Sequence, residues 1–217
     1  MSKTLTKTEE QRLLLDAVPW RSYEYLLRAF DERRIRITYD RGRLEIMTVS
    51  VKHERIKHLL GLLIVTLAIE LGQNIAGGGS MTFKRRKKRR GLEPDECFWI
   101  QNEPLVRGKD LFDWEHDPAP DLALEIEVSR SVLKRLSVYA GLEIPEVWRW
   151  TGKEMVTLIL DARGKYQECE ASRAFPFFRP ATLTNFLGLA STQGESAMIS
   201  ASRAWVQEQV ANNWPIS

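Results

Sequence analysis

The sequence has few cysteines and histidines and no long apolar run. Two cysteines, Cys97 and Cys169, and three histidines occur among 217 residues. The cysteines lie far apart and form no Cys-x-x-Cys pair, which argues against a disulfide framework and a structural zinc site and suits a reducing compartment. No apolar stretch reaches the roughly 18–20 residues that a membrane span needs. The polar N-terminus lacks the apolar core of a signal peptide. We therefore expect a cytoplasmic protein with no membrane association.

The composition is that of an ordinary globular protein. Of all residues, 43% are apolar and 28% are charged, and a chain of this length buries a core without disulfides or a structural metal. We expect three parts: a polar tail with a short helix over residues 1–18, one domain over residues 19–190, and a C-terminal helix over residues 191–217.

Positive charge is concentrated in one segment, the basic run of residues 84–90 (KRRKKRR). The net charge is +3, so the rest of the chain is net negative. Three interpretations stay open: a solvated turn, a nuclear import signal, or a surface that neutralises DNA phosphates and releases their counterions. The DNA-binding interpretation involves seven residues: Lys84, Arg85, Arg86, Lys87, Lys88, Arg89 and Arg90.

Apolar periodicity predicts a mixed α+β domain. Leucine and isoleucine at helical spacing predict a long helix over residues 50–71, ended by Gly72. Alternation on both sides of Asp40-Arg41-Gly42 predicts a hairpin. Further helices are predicted over residues 22–33, 131–142, 180–189 and 196–210, and strands over residues 81–84, 92–100, 122–128, 145–150, 155–160 and 165–170. This order suits a central mixed sheet flanked by helices, preceded by an N-terminal helix and hairpin.

Two predicted strands carry pairs of acidic residues. Alternation puts Glu93 and Asp95 on one face of the first strand, and Glu125 and Glu127 on one face of the second, opposite its leucines. Facing acids resist ionising together, and Mg²⁺ relieves this because it prefers carboxylate oxygens. The open alternative is that these carboxylates simply face water.

The order of several short blocks resembles that of a nuclease family. Pro94-Asp95, followed some thirty residues later by Glu125-x-Glu127, resembles the PD-(D/E)XK superfamily. More narrowly, residues 20–190 resemble the Uma-type family of restriction-endonuclease-like proteins. The matching blocks are residues 42–47 (GRLEIM), 53–56 (HERI), 93–95 (EPD), 120–126 (PDLALEI) and 139–148 (YAGLEIPEVW).

The resemblance implies a restriction-endonuclease-like core and a site for DNA hydrolysis. Asp95 and Glu125 would hold Mg²⁺ or Mn²⁺, which would polarise the scissile phosphate and activate a water. Glu93, which alternation puts on the same face as Asp95, is either an additional ligand or a residue that supports the ligands. A homodimer is expected by analogy with nucleases that cut two strands.

The sequence departs from the superfamily pattern at the catalytic lysine. That position, two residues after Glu125, holds Glu127. In the Uma-type family the basic residue lies on the next helix, where this chain has Arg135 with Lys134 beside it. Arginine stabilises phosphate charge but cannot act as a base at neutral pH. Lys134 is a substitute that points about 100° away on a helix.

Two further residues have open roles. His53, near the start of the long helix, is either a core or capping residue or, as in the family, a residue at the mouth of the site that contacts phosphate or carries a proton. Glu45 either faces solvent or belongs to the acidic site.

Three functions follow from these observations. The first is a metal-dependent endonuclease that hydrolyses DNA phosphodiester bonds. The second is a catalytically weak or inactive nuclease-fold protein that binds nucleic acid, because Glu127 and Arg135 replace lysine. The third is a structural or regulatory dimer that uses the tryptophan-rich C-terminal half as its interface.

Overall fold

The chain forms a mixed α+β domain, as the sequence predicts. A computed structural model describes residues 10–30, 33–127, 133–176 and 178–212. The strands are β1 (Arg12–Leu15), β2 (Ile35–Asp40), β3 (Arg43–Thr48), β4 (Ala76–Gly77), β5 (Phe83–Arg85), β6 (Arg90–Leu92), β7 (Glu96–Trp99), β8 (Leu122–Ile126), β9 (Glu146–Trp150), β10 (Met155–Leu160) and β11 (Tyr166–Cys169). The helices are α1 (Trp20–Ala29), α2 (Val51–Glu70), α3 (Glu103–Val106), α4 (Arg135–Gly141), α5 (Thr184–Thr192) and α6 (Glu195–Ala211), with a 3₁₀ turn at Pro180–Leu183. Within the described ranges, no helix is long and apolar enough to cross a bilayer.

The strands are divided between two sheets. The antiparallel sheet has the order β1-β3-β2-β6-β5, and the mixed sheet has the order β11-β10-β9-β8-β7-β4. In the mixed sheet β8 and β9 are parallel, and α4 lies in the connection between them. The other strand pairs are antiparallel. A parallel pair needs such a crossover, and the crossover brings α4 against β8.

Strand β8 is buried on both faces. Leu122, Leu124 and Ile126 pack in one cluster with the leucines of α2. Ala123 packs on the opposite face with Val138 of α4. Because side chains alternate along a strand, Glu125 shares the α4 side with Ala123. This alternation carries a carboxylate into the protein interior.

The predicted helix in residues 1–18 is wrong where the structure describes it. Arg12–Leu15 form β1, which pairs antiparallel with β3 from Arg12↔Met47 to Leu15↔Leu44. Leu13 and Leu15 face outward while Arg12 and Leu14 are half-buried. Pairing with β3 satisfies the backbone hydrogen bonds of this short segment, so tertiary context overrides local pattern. Residues 1–9 lie outside the described residues, and the boundaries at 18 and 190 stay a prediction.

The predicted strand over residues 92–100 is also wrong in one respect, because it is two strands in different sheets. Strand β6 ends at Leu92 in the antiparallel sheet, and β7 begins at Glu96 in the mixed sheet. Pro94 lies in the three-residue connection, and proline has no N–H to continue a strand ladder. The chain therefore passes from one sheet to the other at Glu93-Pro94-Asp95.

Other boundaries differ by a few residues. Short helix α3 interrupts the predicted loop over residues 101–120. Helix α4 begins at Arg135. The predicted end of the strand at residue 128 and the predicted start of the helix at residue 131 lie outside the described residues.

The close packing of β6 on α1 gives a stability test. A Cβ added at Gly91 would lie 2.2 Å from the hydroxyl of Tyr23, whose buried ring stacks on Tyr39 with centroids 4.8 Å apart. We expect Gly91→Ala to lower the free energy of unfolding by about 1–3 kcal/mol because the tyrosine pair has little room to move. Urea unfolding measures this.

Gly61→Ala in α2 is the matched control. No atom lies within 4 Å of its added Cβ, so we expect a gain of about 0.5–1 kcal/mol from helix propensity. Equal urea midpoints for Gly91→Ala and the wild type would contradict the packing described for Tyr23.

Candidate active site

Asp95 and Glu125 lie opposite each other on neighbouring segments. Strand β7 pairs antiparallel with β8, with Glu96 opposite Leu124. Extending this register by one residue sets Asp95 opposite Glu125. Asp95 is 1% exposed, and its Oδ2 accepts the N–H of Ile126 at 2.7 Å. The connection between the two sheets thus ends with a carboxylate fastened to β8 beside Glu125.

Arg135, the first residue of α4, joins the surrounding segments. Its Nε contacts Oε1 of Glu125, and its Nη2 donates to Oε2 at 3.0 Å. The guanidinium also donates to the hydroxyl of Thr38 and, at 2.9 Å, to the carbonyl oxygen of Glu93. Tyr139, one helical turn later, donates its hydroxyl to Oε2 of Glu125. Both oxygens of Glu125 therefore have partners on α4.

Negative charge is crowded at Glu125. Burial raises the pKa of the Glu125 carboxyl and the charge of Asp95 raises it further, although Arg135 opposes both effects. The pKa of Arg135 is raised despite burial, because Glu125, Tyr139 and Asp95 favour its charged form. Arg135 is therefore a permanent cation here and not a base.

His53 lies between two carboxylates. Its backbone N–H donates to Oγ of Ser50, the N-cap of α2. The ring is fully buried, with Nδ1 2.8 Å from Oε1 of Glu10 and Nε2 2.8 Å from Oδ1 of Asp95. Burial disfavours the charged ring, but the two carboxylates overcome this and raise the pKa of His53 to about 9. The residue is thus both part of the first turn of α2 and a direct contact of Asp95.

The pKa of Asp95 is lowered. Burial opposes this, but the hydrogen bond and charge of His53 and the charge of Arg135 dominate. Asp95 is therefore ionised while its neighbour Glu125 holds its charge less readily.

Glu93 and Glu45 are buried or half-buried but are held by other partners. Glu93 accepts the N–H of Ile37 at 2.9 Å and the hydroxyl of Thr82 at 3.0 Å, so only its backbone oxygen contacts Arg135. Glu45 is 1% exposed, which excludes the solvent-facing alternative. It forms an ion pair with Arg12 at 2.8 Å.

Glu127 and Lys134 lie outside this network. Glu127 is half-buried, with Oε2 3.7 Å from Nε of Arg149. Lys134 is exposed at the N-cap of α4. Both border a cleft of about 400 Å³ that opens beside Glu125. Its walls come from β1, β8, α4 with the residues before it, and β9.

The basic run forms the turn between β5 and β6, where the sequence placed it. Four of its seven side chains are already paired with carboxylates. These pairs are Lys84 with Glu24 at 3.5 Å, Arg85 with Glu143, Lys88 with Glu143 at 2.7 Å, and Arg90 with Asp40 at 3.0 Å. Arg86, Lys87 and Arg89 are exposed and form no ion pair with a described residue.

Several residues of the network were not identified from the sequence as site residues. Tyr139 belongs to a matching block and its aromatic side chain indicates core packing, although its spacing of four residues from Arg135 puts both on one helix face. No local sequence pattern marks Thr38, Glu10 and Arg12 as site residues, because strand pairing and long-range packing bring them to the site. Their positions follow only from the fold.

The donors at this site are hard oxygens. Among the residues that the structure describes, no group of three histidine, cysteine or acidic side chains could hold a metal ion. Asp95 and Glu125 are two carboxylates, and Mg²⁺ is often held by one or two carboxylates with waters and substrate oxygens. The donor chemistry fits a divalent ion, and Arg135 competes with it for Glu125.

The raised pKa of His53 predicts a pH-dependent stability. The folded value of about 9 exceeds the unfolded value of 6.5, so this stabilisation is complete below pH 6.5 and is lost as the pH rises through 9. For metal-free protein we expect a loss on the order of 2–3 kcal/mol between pH 6.5 and 9.5, measured by urea unfolding in EDTA. The His53→Gln protein should have a lower free energy of unfolding than the wild type at pH 6.5, and it should lose little more of it by pH 9.5.

His58→Gln is the control, since His58 is largely exposed. It should retain the wild-type pH dependence. A His53→Gln protein that loses as much stability as the wild type over this range would show that His53 is not held protonated.

Comparison with known proteins gives the family. No curated protein matches the chain. A family model described as "Putative restriction endonuclease" matches residues 20–192. The match includes α1, α2, β8 and α4, and therefore the elements that carry His53, Glu125 and Arg135. Because the model covers well over half of the sequence, the chain belongs to the Uma2 family.

Proposed function

We propose that this chain is a metal-dependent endonuclease that hydrolyses DNA phosphodiester bonds at Asp95 and Glu125. The observation that carries this proposal is the position of these two carboxylates, which lie on opposing residues of neighbouring segments, close enough for the charge of Asp95 to raise the pKa of Glu125. The family description supports a nuclease.

The site residues have separate tasks in this proposal. Mg²⁺ or Mn²⁺ held by Asp95 and Glu125 would supply Lewis-acid polarisation of the phosphate and a water of lowered pKa. His53 and the N–H of Ile126 fix one oxygen each of Asp95, so that carboxylate needs no reorientation. Arg135 holds Glu125 and provides a fixed positive charge for the developing phosphate charge.

The basic turn supplies a candidate DNA contact. Gly141, at the end of α4, packs closely on the Arg90 side chain, while Arg135 at its start binds Glu125. A helix of seven residues spans about 10 Å. Arg90, at the base of the basic turn, therefore lies about one short helix away from Arg135, and we infer that the exposed cations Arg86, Lys87 and Arg89 of the same turn contact the DNA strand that enters the site. A homodimer that cuts two strands belongs to the same proposal by analogy.

A second candidate function is nucleic-acid binding with weak or no hydrolysis. It is favoured by the contacts of Arg135, which occupies both oxygens of Glu125, and by Glu127 at the position of the superfamily lysine. A guanidinium so engaged blocks one metal ligand unless it moves.

Plasmid nicking with Mn²⁺ or Mg²⁺ separates these functions. We expect the wild type to nick supercoiled DNA, and Asp95→Ala and Glu125→Ala to nick at least ~100-fold more slowly, because each removes a metal ligand. Asp110→Ala and Glu168→Ala change exposed acids elsewhere and should nick at the wild-type rate. Wild-type protein that binds DNA without nicking it would support the second function.

The salt dependence of duplex binding tests the basic turn. Each phosphate contact contributes about 0.9 to the slope of log affinity against log salt. We expect the triple change Arg86→Gln, Lys87→Gln and Arg89→Gln to reduce this slope by about 2 to 3. Fluorescence anisotropy in EDTA measures the slope.

A second triple change, Lys153→Gln, Arg163→Gln and Lys165→Gln, removes the same charge from exposed positions around the turns that flank β10. It should leave the slope near the wild-type value. Equal slopes for all three proteins would exclude the basic turn from the DNA contact.

A further inference from the structure

The cleft beside Glu125 carries cations that the acidic network does not use. Strands β8 and β9 pair in parallel with Glu125 next to Arg149, so the two side chains share a face of the sheet. Arg149, Lys134 and Arg12 all line the cleft. Arg12 is held by Glu45 and Glu10, which leaves Arg149 and Lys134 to consider.

Arg149 is incompletely paired. Its Nε is 3.7 Å from Glu127, well beyond the roughly 2.7–2.9 Å of a charge-assisted hydrogen bond. That nitrogen is shielded from solvent and has no hydrogen-bond partner among the described residues. A shielded guanidinium nitrogen without an acceptor is unfavourable, so an oxyanion in the cleft would gain a strong contact.

The charges beside Arg149 permit an anion to approach. Glu125, which would repel it, is already neutralised by Arg135. Lys134 is exposed at the rim and forms no ion pair with a described residue. The cleft therefore presents Lys134 and the incompletely paired Arg149, which lies one strand spacing from Glu125.

The cleft also has apolar side chains in its lining. Leu136 is half-buried and contributes an apolar wall beside these cations, while Leu133 and Ile126 are 3% and 2% exposed. A duplex presents phosphates and sugars to a cleft, because its bases are stacked inside, and would leave this wall uncovered. An unpaired base can leave the stack and pack against apolar side chains, as bases do in enzymes that take a nucleotide out of the duplex. A volume of about 400 Å³ lies within the range of small-ligand pockets.

We propose that this cleft binds one unpaired nucleotide of a DNA strand, with its phosphate on Arg149 and Lys134 and its base against Leu136. The preferred substrate is then single-stranded DNA or a duplex with an unpaired segment. The link to cleavage rests on the proposed function, but binding requires neither metal nor hydrolysis.

Binding in EDTA tests this directly. We expect the wild type to bind an oligothymidylate at least about tenfold more tightly than a blunt duplex of equal length at equal salt. Arg149→Gln and Lys134→Gln should each weaken single-strand binding about tenfold, the effect of losing one charge-assisted contact, with little change for the duplex. Glu127→Gln should strengthen single-strand binding, because it removes the carboxylate that competes with the phosphate for Arg149. Arg163→Gln and Lys153→Gln are the matched controls.

Smaller probes distinguish a nucleotide site from a general phosphate site. Thymidine monophosphate should bind more tightly than inorganic phosphate, and Leu136→Ala should reduce only that difference. Arg149→Lys keeps the charge and should retain part of the affinity, with urea unfolding confirming that each variant is folded. Equal binding of single strand and duplex, equal binding of the nucleotide and phosphate, or unaffected Arg149 and Lys134 variants would each overturn the proposal.

The outcomes separate this inference from the proposed function. Selective single-strand binding without metal-dependent cleavage would support the nucleotide-binding cleft and contradict the proposed endonuclease function. Cleavage that depends on Asp95, without preferential binding of single strands, would support the endonuclease function and contradict the nucleotide-binding cleft.

Discussion

The buried ion pair of Arg135 and Glu125 is the interaction on which the central architecture depends. Burying two charges is favourable only when they are paired and their remaining donors are satisfied. Arg135 meets this condition by binding Glu125 on β8, Thr38 on β2 and the backbone of Glu93. One guanidinium therefore connects both sheets with α4, and the same contacts define the position of the acidic pair.

This arrangement divides electrostatic roles within a small volume. Asp95, held by His53 and a backbone N–H, is stabilised as an anion. Glu125, despite its arginine, is less readily ionised because it is buried beside Asp95. Such unequal carboxyl groups in one place are characteristic of functional sites, and a cation shared between them would relieve the repulsion. Arg135 cannot accept a proton from water, so in a hydrolytic reaction water activation would depend on the acids and a bound ion.

Much of the fold could be predicted from the sequence, because α2 and the β2–β3 hairpin have clear periodicity. The resemblance paired Asp95 with Glu125, and the register of β7 and β8 puts them at opposing positions. Strand β1 was missed because its pairing with β3 is long-range. The ion pairs of the basic run were also missed, because they involve residues distant in sequence. Glu143, for example, forms ion pairs with Arg85 and Lys88. Pro94 indicates the break between β6 and β7 in the sequence itself, because proline has no N–H to continue a strand ladder.

The passage of the chain between sheets at Glu93-Pro94-Asp95 has a mechanical consequence. Asp95 stands at the seam where the two sheets join, while Glu125 belongs wholly to one of them. Asp95 is nevertheless held to β8 by the N–H of Ile126, and one hydrophobic cluster spans both sheets through Phe83, Leu92, Trp99 and Ala123. A ligand that bridges the pair would bind only the folded arrangement of these segments, and its binding energy would therefore add to the resistance of the fold to unfolding.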